Sequence, residues 1–203
     1  MIVAVEGPSY AGKTTAIAAL RHAAGMREVV FFDCYVKCIS RPEDIPRPAT
    51  TSAAEQLAAF ETFMLIEEDR VRRLAGRSGV VVIDRSVDTL LAHAYALDEM
   101  DGFGVYDEAR DRLQVLPHLR PDRTIYLDAS AEVLSLRRKA ARHADAEPDY
   151  FLHDAAFLTH ARDYFCTPAR EPVAAEITVV PGSGSREDTA AAVQALVSLW
   201  CGQ

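Results

Sequence analysis

No stretch of this chain approaches the run of about eighteen apolar residues that a membrane helix needs. Met1 leads straight into Ile2-Val3-Ala4-Val5-Glu6, with neither the basic nor the apolar region of a secretory leader. Cysteine is sparse: Cys34, Cys38, Cys166 and Cys201 fall into no CxxC pair and no zinc-ligand spacing, so they read as reduced thiols. Excess positive charge is missing too. A net charge of −8 excludes the basic surface of a non-specific nucleic-acid binder, while leaving room for a local basic cluster around an anionic substrate. There is no internal repeat and no low-complexity linker. The expectation is a cytoplasmic protein, and 203 residues suit one domain spanning 1–203.

What is present is an alternation of short apolar runs with helical segments. Ile2 to Glu6, Val29 to Asp33, Val80 to Asp84, Thr124 to Asp128 and Ile177 to Val180 read as five strands. The run VVVID at 80–84 is apolar until its last residue, as expected of a strand buried on both faces. Ser52 followed three residues later by Glu55 marks the start of a long helix through Leu74. Further helices are expected to about Met100, then to Leu116 after a Gly-rich break at 101–104. Others are expected over 131–143, 150–165 and 188–200. Pro42, Pro46 and Pro48 interrupt 41–52, which is either a flap beside a site or a plain connection. Strands alternating with helices imply an α/β fold with a parallel sheet covered on both faces. Ligands bind such sheets at the carboxyl ends of the strands, the edge that carries Gly7, Asp33, Asp84 and Asp128.

Residues 7–14, GPSYAGKT, fit G-x-x-x-x-G-K-[ST] completely, and they lie between a strand and a helix. Glycines let successive N–H groups curl around one centre, and the following helix adds its positive N-terminal end. Gly7, Tyr10, Ala11, Gly12, Lys13, Thr14 and Thr15 are therefore candidate nucleotide-binding residues. Lys13 is placed to reach the β- and γ-phosphates, and the Thr14 hydroxyl to ligate Mg²⁺. A second metal-holding group should be an acid closing a neighbouring buried strand. Asp84 is that candidate, with a helix N-cap as its plainer role; Arg85, next to it, could neutralise a transferring phosphoryl group.

Several stretches resemble the thymidylate kinases and deoxynucleoside kinases. IDRS at 83–86 is similar to their Asp/Glu-Arg-Ser/Tyr motif, and EEDR at 67–70 to the segment bearing a substrate-contacting arginine, here Arg70. AHAYAL at 92–97, with Tyr95, resembles the stretch after that motif. The segment 120–142 resembles their fourth strand followed by an arginine-bearing lid, about 137–149 here. FLTHARDYF and the late VVPGSGS resemble their C-terminal helices and adenine loop. The resemblance implies a three-layer P-loop NTPase fold with a five-stranded parallel sheet, a helical lid, and ATP and Mg²⁺ as cofactors. Arg138 and Arg142, four apart and so on one helical face with Arg137 and Lys139 beside them, would be its lid arginines; the alternative is a solvated basic helix. The acceptor region would run from about 33 to 70, with Asp33, Tyr35, Ile66, Arg70, Arg85 and Tyr95 facing the acceptor.

The departures from that family bear on the acceptor. Thymidylate kinases carry an arginine at the end of the second strand that grips the acceptor's phosphate; this chain has Asp33. A phosphate acceptor is already ionised, whereas a hydroxyl acceptor must lose a proton, so a carboxylate there suits a hydroxyl. Ile66 stands where the family places an aromatic residue against thymine, and Tyr10-Ala11 replace a charged side chain in the phosphate loop. Lys37, Arg41 and Arg47 could still hold a phosphate. The favoured expectation is a kinase for a nucleoside-like hydroxyl. A nucleoside monophosphate kinase and a nucleotide-binding switch or ATPase stay open. Helices 52–74 and 87–100 are candidate faces of a homodimer.

Overall fold

The computed structural model describes residues 1–23, 29–46, 52–141 and 151–202. Five strands form one wholly parallel sheet: β1 (Ile2–Glu6), β2 (Val30–Phe32), β3 (Val81–Asp84), β4 (Arg123–Asp128) and β5 (Ile177–Pro181), in the order β2-β3-β1-β4-β5. Ile2 pairs with Val81 and Val5 with Asp84, so the phosphate loop after β1 and the acid closing β3 emerge side by side.

Eight helices cover the sheet: α1 (Lys13–His22), α2 (Tyr35–Cys38), α3 (Ala53–Leu74), α4 (Val87–Asp101), α5 (Val105–Leu113), α6 (Ala131–Ala140), α7 (Ala155–Cys166) and α8 (Arg186–Trp200). The strands' period of two divides their side chains between two cores. Val3, Val5, Val82, Ile125 and Leu127 pack with Ile17 and Leu20 of α1 and with Val193 and Val197 of α8. Tyr126 joins Phe60 and Met64 of α3, Leu91 of α4, Leu113 of α5 and Phe165 of α7. The result is the expected three-layer α/β architecture.

Caps explain most boundaries. Ser52 Oγ accepts from Glu55 N at 3.3 Å and starts α3 as anticipated. The helix expected over 150–165 starts later, because Asp154 accepts from the N–H groups of Ala156 and Phe157 and so caps α7; 151–153 form a separate 3₁₀ turn. The lid, expected at 137–149, lies outside the described residues from 142 onward. Helix α4, a candidate dimer face, packs mainly within the chain. Most of its residues, from Val87 to Leu97, are buried against α7, α5 and α3 of the same chain.

Asp88 ties these helices to the sheet's far edge. Its carboxylate, fully buried, accepts from Tyr164 Oη (2.7 Å), Val173 N (2.7 Å) and Ala174 N (3.0 Å). Burial nonetheless raises its pKa above the ordinary carboxylate value, because the desolvation cost outweighs these donors. Replacing it by alanine strands three donors in the interior. Asp88→Ala should therefore lower unfolding free energy by about 3 kcal/mol in urea titration, while Asp88→Asn loses less.

Candidate active site

The phosphate loop begins with a close approach. Gly7 sits at φ 131°, and a Cβ there would come within 2.7 Å of the Leu127 carbonyl oxygen, so only glycine fits. Tyr10 then adopts φ 67° and Gly12 φ 109°, reversing the chain into α1. Lys13 folds back over the loop, its Nζ donating to the carbonyls of Gly7 (2.6 Å) and Pro8 (2.8 Å). Burial, followed by the nearby Arg85 cation, lowers its pKa to about 7. An ammonium held in this way is primed for an anion. Ala11, expected to bind nucleotide, is instead fully buried in the core and offers only its backbone.

The loop forms one end of a cavity of about 980 Å³. Ser9, Tyr10, Gly12, Lys13, Thr14, Thr15 and Arg186 line that end. Asp84 and Arg85, close enough to Lys13 to act on its charge, line the cavity next to the loop, and Tyr35, Gln56, Phe60, Phe63, Leu90 and Leu97 line the rest. Asp84 is 4 % exposed and its Oδ1 has no hydrogen-bond partner among the described residues. A buried, unpartnered carboxylate oxygen in the same cavity wall as Thr14 offers hard oxygen donors that fit Mg²⁺, which takes one or two protein oxygens and completes its shell with water and phosphate. Among the described residues no cluster of three or more His, Cys, Asp or Glu side chains offers a complete protein cage.

Arg85 has φ 69°, a left-handed conformation costing a non-glycine residue about 1 to 3 kcal/mol. Three neighbours hold it there. Its N–H donates to Val5 O (3.2 Å), and its carbonyl accepts from Arg70 Nη1 (2.9 Å). The N–H of the following Ser86 donates to Glu6 Oε1 at 2.6 Å. Glu6 also accepts from the Ser86 hydroxyl (2.8 Å) and from Thr89 Oγ1, although burial lifts its pKa to about 7. The Arg85 side chain, reaching Thr89 Oγ1 at 3.4 Å, is thereby aimed along the cavity wall.

Other expected site residues stand elsewhere. Arg70 lies 1 % exposed and is not part of the cavity wall, pairing with Glu67 (2.5 Å), covering the Tyr35 ring at 4.4 Å and donating to the carbonyls of Asp33 and Arg85. Glu67 is correspondingly buried, accepting also from Tyr35 Oη at 2.8 Å. Asp33 is exposed, its carboxylate 3.0 Å from Arg21 and outside the cavity wall. Ile66 packs into the helical core; Phe63, one turn earlier on α3, takes the aromatic place in the cavity. Tyr95 points away, donating to Asp163 at 3.0 Å among Tyr106 and Tyr164. Arg138 is half-buried and absent from the cavity wall, Arg142 and Arg47 lie outside the described residues, and Arg41 is paired with Asp44 on the surface.

Two wall residues escaped the sequence reading. His93 shows its imidazole edge to Phe151 and Phe157, and burial together with Arg85 and Lys13 depresses its pKa to about 3, so it is neutral. Gln56 is 8 % exposed, yet neither its Nε2 nor its Oε1 has a partner among the described residues. A buried primary amide without partners costs several kcal/mol, unless a ligand supplies a matching acceptor and donor. Its position on α3, one turn before Phe60 and two before Phe63, was the available signal.

No family model matches the chain, and no curated protein sequence matches it. Solved structures do. A deoxyadenosine kinase from M. mycoides with bound dATP superposes with TM-score 0.72 at 13 % identity, covering 98 % of this chain and 100 % of that one. The same enzyme with the products dCMP and dCDP gives 0.70 at 14 %, and with bound dCTP 0.65 at 15 %, with the same coverages. The fold is that of these deoxyadenosine kinases. It is a P-loop fold over the whole described chain.

The depressed Lys13 carries a measurable sign. In the free protein burial lowers its pKa to about 7, so its ammonium form is lost progressively as pH rises above neutrality. A bound polyphosphate favours the ammonium and raises its pKa. Titration with MgATP in two buffers of different protonation enthalpy should show net proton uptake, larger at pH 8 than at pH 7; proton release would contradict this.

Proposed function

We propose that the protein transfers the γ-phosphoryl group of ATP to a hydroxyl of a nucleoside or nucleoside-like molecule. The observation that carries this reading is the unpartnered Gln56 amide, held among Phe60, Phe63 and Tyr35 in the same cavity that begins at the phosphate loop. Flat aromatic walls with one paired donor and acceptor suit a heterocyclic base. Likeness in fold to enzymes that phosphorylate deoxyadenosine agrees with it.

In this mechanism Lys13, the N-terminal N–H groups of α1 and Arg85 offset the charge developing on the transferring group. Thr14 and Asp84 would hold Mg²⁺, whose chemistry when bound is to neutralise phosphate oxygens. The acceptor oxygen gives its proton to Asp33 as its bond to phosphorus forms and the bond to ADP breaks. For that, Asp33 must leave Arg21. The pair is exposed (41 % and 57 %), and such pairs contribute less than about 1 kcal/mol, so the turn costs little.

A monophosphate acceptor is the second reading, favoured by Lys37 in the cavity wall and by the outward turn of Asp33. ADP release from MgATP against nucleosides, nucleoside monophosphates and no acceptor separates the readings. Stimulation by nucleosides is expected; stimulation by monophosphates alone would transfer the conclusion to the second reading, and equal rates without acceptor would leave an ATPase. With the stimulating acceptor, Asp33→Asn should lower kcat and leave the KM for ATP nearly unchanged. Gln56→Leu should raise the acceptor's KM about tenfold or more, since the polar edge of the base then loses its partner.

A further inference from the structure

Arg137, on the last turn of α6, does not line the cavity but lies behind the phosphate loop. Its Nη1 donates to the carbonyls of Tyr10 and Ala11, both at 3.2 Å, and its Nη2 to the carbonyl of Gly184 at 2.7 Å. One planar fork thus holds three backbone oxygens from two loops. The loop residue it grips first, Tyr10, is the non-glycine residue of the loop in a left-handed conformation.

Peptide planarity gives this contact a consequence inside the cavity. All described peptide bonds are trans, so the Ala11 carbonyl and the Gly12 N–H point to opposite sides of one rigid plane. With the carbonyl fixed toward Arg137, the Gly12 N–H is directed away from it, on the side where Gly12 lines the cavity. That N–H donates to no group among the described residues. Rotation of the plane would present a carbonyl oxygen to a bound phosphate and exchange attraction for repulsion. We propose that Arg137 is a positioning residue that locks the Ala11–Gly12 peptide plane, so that the Gly12 N–H faces the nucleotide's phosphates, and that fastens the Gly184 loop to the same point.

The inference rests on residues 7–14 being a nucleotide site. A lysine carries charge but no planar fork, so it cannot hold the three oxygens together. Calorimetric titration of MgADP into the full-length protein, Arg137→Ala and Arg137→Lys tests it. Arg137→Ala should bind about tenfold more weakly or worse, as expected for losing charge-assisted hydrogen bonds that orient a ligand-binding N–H. Arg137→Lys should recover only a minor part of that loss. In steady state, Arg137→Ala should raise the KM for ATP while the acceptor's KM stays as in the wild type, a split that a general loss of stability would not produce. Unchanged MgADP affinity in Arg137→Ala would overturn the clamp, and so would full rescue by Arg137→Lys, which would assign the effect to charge alone. If the wild-type protein itself fails to bind MgADP, the nucleotide-site reading falls, and the clamp with it.

Discussion

Glu6 is the point on which the site depends. Its carboxylate lies at the end of the central strand, fully excluded from water, and receives hydrogen bonds from one backbone N–H and two hydroxyls at the start of α4. A charge there is expensive enough that its pKa rises to about 7, and the donors that offset the cost are those that fix Arg85 beside the phosphate loop. One side chain before the loop thereby sets the position of the cation beyond the neighbouring strand. Glu67 and Arg70 repeat the arrangement one layer lower. Their ion pair, 1 % exposed or less, spends its remaining bonds on Tyr35, Leu119 and the carbonyls of Asp33 and Arg85. Two buried acids and one buried arginine therefore set the relative placement of β1, β2, β3 and α3 at the edge where a ligand binds.

The fold was legible because its signals are local. Apolar runs closed by Gly7, Asp84 and Asp128 gave the strands within about a residue, and Ser52 gave α3 its start. The places of residues 7–14 and of Asp84 in the fold were equally readable, since the loop follows β1 and the parallel register sets Asp84 opposite Val5. Side-chain direction on a helix or past a strand end was not legible. Asp33 follows β2 correctly, but whether its carboxylate turns into the cavity or toward Arg21 depends on an exposed contact with little energy behind it. On α3 the cavity face runs through Gln56, Phe60 and Phe63, and Ile66 falls on the neighbouring core stripe. Arg70 looked like a ligand residue because EEDR at 67–70 resembles the segment in which thymidylate kinases carry a substrate-contacting arginine. Only the fold shows it buried and paired with Glu67 three residues away, its Nε alone left without a partner among the described residues.

The charge distribution resolves an apparent contradiction. The chain is acidic overall, with a net charge of −8, yet the phosphate end of its cavity gathers Lys13, Arg85 and Arg186. Acidic surfaces elsewhere discourage long polyanions, while a walled cluster of cations still attracts a small one. The apolar half of the cavity carries the opposite emphasis: beyond Lys37 and Glu55 it offers aromatic and aliphatic walls with one amide set among them. Such a division selects a ligand with a charged end and a flat, nearly neutral end.

The tight contact at Gly7 has a thermodynamic consequence. With its first residue pressed against β4 and its later carbonyls gripped from behind, the phosphate loop has few alternative shapes to lose when a nucleotide arrives. The ordering entropy that a floppy loop would surrender at binding has been surrendered here during folding, at the expense of left-handed backbone at Tyr10. On the proposed reading, a nucleotide would meet this end of the cavity already shaped to receive it.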